Sequence, residues 1–145
     1  MTFLDTNVLI YSIDGKDPTK QVVAREIVVS AVRGGGFLIS AQVLNEFSNI
    51  ALLKLKLSVE EVRKFVSFFN RIGVVSLESR WTDAALLLKQ RYETQFFDSL
   101  LLAAAQENGC DEILTEDLND GQMYGSVKAV NPFKSKLSPM TTSSA

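Results

Sequence analysis

Very short β-capable runs alternate with helical stretches along this chain, and that alternation leaves few architectures open. Thr2–Leu4, Phe37–Ile39, Gly73–Ser76 and Glu112–Leu114 are brief and rich in apolar or β-branched residues, and Val127–Val130 offers a fifth run. Thr6–Ile13 follows the first run with helical or mixed character. Asp17-Pro18 then reads as a helix start, with Asp as N-cap and Pro at the first helical position. That helix runs to about Arg33 and stops at Gly34-Gly35-Gly36. Ser40 caps a helix over 41–55. Ser58-Val59-Glu60-Glu61 fits a capping box and opens a helix to about Arg71. Ser79 starts a helix to about Tyr92, and Phe96 to Asn108 is another, ended by Gly109. Strands separated by helices predict an α/β sandwich with a short, mainly parallel central sheet of four to five strands. Residues 1–133 read as one domain, and the tail 134–145, rich in Ser, Thr, Pro and Lys, is expected to fray.

Composition narrows the chemistry. The 145 residues include no histidine, which removes Ser-His-Asp and Cys-His nucleophile systems, HExxH zinc sites and imidazole bases together. The single cysteine, Cys110, excludes a disulfide framework and any multi-cysteine zinc site, and it suits a reducing compartment. A net charge of -2 argues against a binder that holds nucleic acid mainly by electrostatics. It leaves room for an enzyme that meets nucleic acid through a metal. No apolar run approaches the roughly 20 residues of a membrane-spanning helix, and Met1-Thr2-Phe3-Leu4-Asp5 lacks the basic region of a signal peptide. A cytoplasmic location with no membrane association is the expectation.

The acids then fall in a telling pattern. In open α/β sheets, ligands bind at the carboxyl ends of the strands. Asp5 directly follows the first run, and Asp117 follows the fourth in Leu114-Thr115-Glu116-Asp117. Glu46 shares a helical arc with Val43, Ile50 and Leu53, and Asp98 shares one with Leu101, Leu102 and Ala105. A carboxylate on an apolar face costs several kcal/mol unless it is paired or metal-bound, and no Lys or Arg shares either stripe. Four inward acids with oxygen-only donors point to Mg²⁺ or Mn²⁺. Each acid alone has a plainer reading: Asp5 and Asp98 as helix caps, Glu46 as a half-exposed helix residue, Asp117 as part of a polar turn with Asn119 and Asp120. Thr6, Asn7 and Thr115 either orient the acids or make local turn bonds. Lys54, Lys56, Arg63, Lys64 and Arg71 read as a solvated face, and Trp81 and the Phe residues as core.

These residues also resemble a known family. Phe3-Leu4-Asp5-Thr6-Asn7-Val8-Leu9-Ile10-Tyr11 looks like the opening of a PIN domain. Val43-Leu44-Asn45-Glu46-Phe47, Phe97-Asp98-Ser99-Leu100 and Ile113-Leu114-Thr115-Glu116-Asp117-Leu118 are similar to its second, third and fourth acidic motifs. The resemblance spans about Thr2 to Phe133 and is greatest to VapC-type toxins of bacterial toxin–antitoxin pairs. It implies a PIN-like α/β/α sandwich and a Mg²⁺- or Mn²⁺-dependent endoribonuclease that hydrolyses phosphodiester bonds in RNA. It further implies a cognate antitoxin and a homodimer. Carried over residue by residue, the metal-binding and catalytic acids are Asp5, Glu46, Asp98 and Asp117, with Asn7, Thr6 and Thr115 behind them. Glu116 and Asp120 are extra acids, either of which could replace or assist Asp117. Ser99 stands where many relatives carry Ala. Two other classes remain open: a receiver or phosphotransfer domain, and a non-catalytic PIN-like binding module. The first wants adjacent acids after an early strand and a Lys after a late one, whereas Asp5 is followed by Thr6-Asn7.

Overall fold

Thr2–Leu4 forms β1, and its position in the sheet organises everything else. The computed structural model describes residues 1–135. After β1 come α1 (Thr6–Ile13), α2 (Pro18–Gly34), β2 (Phe37–Ser40), α3 (Ala41–Leu53), α4 (Val59–Phe69) and β3 (Val74–Val75). The second half holds α5 (Arg80–Tyr92), α6 (Phe96–Glu107), β4 (Glu112–Leu114), β5 (Met123–Tyr124), β6 (Val127–Val130) and α7 (Pro132–Ser135). The strand order is β3-β2-β1-β4-β6-β5. Every pairing is parallel except β5 with β6, which is antiparallel. The register sets Phe3 against Leu38 on one side and Ile113 on the other, and Leu4 against Leu114.

Parallel strands flanked by helices are buried on both faces, so they read as apolar runs rather than alternations. Phe3, Leu4, Ile39 and Ile113 accordingly sit in the core with Val8, Leu9, Val43, Phe47 and Leu102. Among the helices, α1 packs on α2 and α3, α3 on α4, and α5 on α6. Start signals act as the sequence suggests at three helices. Asp17 accepts from the Lys20 N–H, Ser40 from Val43, and Ser58 and Glu61 form the reciprocal capping box of α4.

Several expectations are corrected. The described sheet has six strands, not four to five, because two-residue β5 turns back through Gly125-Ser126 onto β6. Gly125 has φ +63, which such a tight hairpin requires. A two-residue strand is too short to carry a period. Ser79 precedes α5 but its side chain caps nothing. Helix α3 ends at Leu53 instead of 55, just before Lys56 turns left-handed at φ 59, and α4 ends at Phe69. Phe68 and Phe97 are exposed, so not every Phe is core; Trp81 is buried. Lys134 and Ser135 belong to α7, and the remainder of the expected tail lies outside the described residues.

Candidate active site

The chain runs from β1 outward to β2 and β3, then returns to place β4 on the other side of β1. At such a reversal the two connections leave in opposite directions and open a crevice at the carboxyl ends of the central strands. Asp5 and Thr115 are the first residues beyond those two ends. Their backbones are still held by the sheet: the Asp5 N–H donates to the Leu114 carbonyl at 3.1 Å, and that of Thr115 to Val130 at 3.0 Å. The Asp5 side chain is 4% exposed. One carboxylate oxygen accepts from the Thr6 N–H at 2.6 Å, and the other from Thr115 Oγ1 at 2.6 Å. Asp5 is thus the N-cap of α1 and a wall of the crevice at once.

Three further acids reach the same place from separate elements. Glu46 on α3 is half-buried and accepts from Thr6 Oγ1 at 2.6 Å and from Gln42 Nε2 at 3.0 Å. Asp98 lies in the first turn of α6, whose N-cap position is Gln95. It has no hydrogen-bond or ion-pair partner among the described residues, so the capping alternative fails. Asp117 is exposed; its Oδ2 accepts from Asn7 Nδ2 at 2.9 Å, and its N–H donates to Thr115 Oγ1 at 3.1 Å. Asp5, Glu46, Asp98 and Asp117 line one cavity of about 280 Å³, together with Thr6, Asn7 and Asn49.

The two extra acids go elsewhere. Glu116 accepts from Tyr11 Oη at 2.5 Å and from Lys20 Nζ at 2.8 Å. That ammonium also lies 4.8 Å from the Tyr11 ring centre and 5.5 Å from that of Phe133. Asp120 accepts from the Asn131 N–H at 2.8 Å. Both brace the segment that carries Asp117. Lys54, Lys56, Arg63, Lys64 and Arg71 are exposed, as a solvated face should be.

Electrostatics follow from this crowding. Burial, reinforced by the charges of Asp117 and Asp98, pushes the Asp5 carboxyl up to about 7, against the hydrogen bonds from Thr115 and Thr6. Burial and the charges of Asp117 and Glu46 push Asp98 up to about 6. The nearby cation, Lys20, is committed to Glu116. Negative charge therefore accumulates in the cavity without internal compensation. The side chains are nevertheless not arranged for coordination as they stand: among the described residues no group of three or more Asp, Glu or Cys could hold a metal ion.

Gln42, Asn49, Tyr11 and Lys20 escaped the sequence reading. Gln42 precedes Glu46 by one helical turn, a spacing that places the two side chains together, and it also donates to the Phe97 carbonyl at 3.3 Å. Tyr11 and Lys20 meet Glu116 from about a hundred residues away, and no local pattern signals that contact.

No curated protein matches the chain. Among solved structures, it is similar to the toxin–antitoxin complex from Klebsiella pneumoniae, with TM-score 0.69 and 20% identity over 91% of this chain and 98% of that one. It is similar to DNA-bound VapBC from Salmonella typhimurium, with TM-score 0.63 and 18% identity over 88% and 95%. VapC20 of Mycobacterium tuberculosis, a toxin that cleaves the sarcin–ricin loop, matches with TM-score 0.60 and 14% identity over 78% and 87%. These likenesses establish the fold. A family model described as PIN domain matches residues 2–120, a span that contains all four crevice acids. With the strand order and the acidic crevice, that match places the chain in the PIN-domain family.

Proposed function

We propose that this protein is a divalent-cation-dependent endoribonuclease and the toxin of a toxin–antitoxin pair, restrained by a cognate antitoxin. The observation that carries the reading is the convergence of Asp5, Glu46, Asp98 and Asp117 from four separate segments on one cavity at the reversal of strand order. Such a concentration of uncompensated charge is costly in an apoprotein and is relieved by a cation. The solved structures similar to this chain include a toxin–antitoxin complex and a toxin that cleaves the sarcin–ricin loop.

The donors suit Mg²⁺ or Mn²⁺, because every candidate ligand is an oxygen. Asp5, Asp98 and Asp117 are assigned as ligands, with Glu46 as a ligand or as the acceptor of a proton from the attacking water. Asp98 has no partner to surrender, and Asp117 gives up one Asn7 amide, so both are free to turn toward an ion. A bound divalent cation supplies charge stabilisation at the phosphate and a more acidic water. The chain's own residues supply position. Thr115 and Thr6 fix both oxygens of Asp5. Thr6 and Gln42 fix both oxygens of Glu46, so Thr6 couples the two acids. Thr115 also holds the Asp117 backbone, so one hydroxyl orients two acids from adjacent strands. Between Asp117 and Asp120 as the fourth acid, we assign Asp117, because Asp120 does not line the cavity.

A fluorogenic single-stranded RNA incubated with the protein in Mg²⁺, in Mn²⁺ and in EDTA tests this. Cleavage is expected with either metal, little in EDTA, and little by Asp5→Asn with Mg²⁺. Full activity in EDTA overturns the metal reading, and no cleavage under any condition leaves a non-catalytic PIN-like module.

A further inference from the structure

A second cavity, of about 500 Å³, adjoins the acids. Its size falls within the roughly 300–1,000 Å³ of small-molecule sites. Asp98 and Asp117 line it as well as the acidic cavity, so the two have those side chains as a common wall. Its other walls come from the α5–α6 turn and from the segment after β4.

The walls are rigid. Tyr92 and Tyr124 pack edge to face with ring centres 5.1 Å apart. The Gly125 N–H pins the Tyr92 hydroxyl at 2.8 Å, and the Asn119 N–H pins that of Tyr124 at 3.1 Å. In the turn, Lys89 Nζ donates to the Thr94 carbonyl at 3.0 Å, and Ser99 Oγ donates to that of Gln95 at 2.9 Å. Glu93 adopts the left-handed region at φ 57. There it ends α5 as the C-cap, with its N–H donating to the Lys89 carbonyl at 2.7 Å, a common way for a helix to stop.

The hydrogen-bond inventory gives the cleft a chemical preference. Because the Ser99 proton goes to Gln95, the 2.6 Å contact between Thr94 Oγ1 and Ser99 Oγ uses the Thr94 proton. Thr94 Oγ1 is then left to accept. Asn119 donates one of its two amide N–H groups to Gln122 at 2.8 Å, and its oxygen is open to accept. The Glu93 carboxylate has no partner among the described residues. The Glu93 carboxylate, Thr94 Oγ1 and the Asn119 oxygen are left to accept, beside the amide groups of Gln95 and Asn119, which can also donate. A uracil edge offers one N–H, whereas a guanine edge offers an N–H and an exocyclic amine side by side. Outside the cleft, the Arg91 guanidinium lies 5.1 Å from the Tyr92 ring centre and has no carboxylate partner among the described residues. It puts a cation beside the Tyr92 wall of the cleft.

We propose that this cleft, between Glu93–Gln95 and Asn119 over Tyr92 and Tyr124, is the subsite for one unpaired base of RNA next to the acids, and that it selects guanine over uracil. This rests on the ribonuclease reading for its substrate class, and its test does not depend on cleavage. Two fluorescein-labelled 2′-O-methyl strands of equal length are titrated with protein in Mg²⁺ and followed by anisotropy. One is oligouridine and the other carries a single central guanine. The guanine strand is expected to bind about tenfold tighter, the discrimination of one good base-edge contact. Glu93→Gln and Thr94→Val should each shrink that ratio, and Gln95→Trp, which adds bulk at an exposed wall, should abolish it. Arg91→Ala should weaken both strands alike and lower the salt dependence by about one phosphate contact. Equal affinity of the wild type for the two strands, no binding of either, or a preference that survives Gln95→Trp overturns the subsite. Selective binding by a protein that never cleaves RNA keeps the subsite and removes the nuclease reading; cleavage without base preference does the reverse.

Discussion

Thr115 shows how much one buried hydroxyl controls. It donates to Asp5 and accepts from the Asp117 backbone, and it is 2% exposed. Thr115→Val keeps the shape and removes both bonds. A residue that orients metal ligands from behind typically affects activity about 10–100-fold, so a loss of about that size is expected in single-turnover cleavage. The deprived buried carboxylate should also cost about 1–3 kcal/mol in a thermal melt. Asp98 behaves in the opposite sense, because its charge is a burden in the apoprotein. Below its ordinary value of 3.8 it is neutral in folded and unfolded chains alike. Above that value the unfolded chain releases the proton while the folded chain keeps it until about 6. The folded state thus binds more protons across that window, and stability falls as pH rises through it. In EDTA, Asp98→Asn should therefore melt at or above the wild type at neutral pH, and the difference should shrink toward pH 4. A variant that melts well below wild type at neutral pH would mean that Asp98 is a structural partner.

At the scale of elements, helix starts do two kinds of work. Those of α2 and α4 are purely structural. Ser58 and Glu61 close the capping box of α4 far from the acids, with bonds of 2.9 and 3.1 Å. Ser58→Ala should cost about 1 kcal/mol in a denaturant melt and leave RNA cleavage unchanged. The start of α1 also serves the site, since its cap is Asp5. The first turn of α6 gives its acid to the cavity and receives no side-chain cap. An apolar substitution at Asp98 is therefore expected to leave α6 formed, as judged by an unchanged far-ultraviolet circular dichroism spectrum.

For the whole molecule, the acidic site is an electrostatic load on the fold, one that a bound cation would relieve. Mg²⁺ at ten times its Kd should stabilise the wild type by about 1.4 kcal/mol by mass action. For a chain of this length that is a rise of roughly 3–6 °C in Tm. Asp98→Asn should gain less, because it removes a ligand charge. An equal gain in both proteins would take Asp98 out of the ligand set.

The sequence by itself determined most of the elements and the candidate acids. Caps, glycine stops and apolar runs are local signals, and they marked β1, β2, β4 and most helices to within a few residues. Asp5 and Asp117 were legible because residues just beyond parallel strands face one edge, and Glu46 and Asp98 because helical phase set them on apolar arcs. What the sequence left open was which of the neighbouring acids share a cavity. Asp117, Glu116 and Asp120 are near one another in the chain, yet Lys20 and Tyr11 draw off one and the Asn131 backbone another. Those partners come from remote segments brought together by the pairing of β1 with β4 and of β4 with β6. The same pairings put Thr115 beside Asp5, and the hairpin onto β6 puts Tyr124 beneath Asn119. Local pattern reports which face a side chain occupies. Its partner across the crevice is decided by strand order and register, which depend on the packing of the whole core.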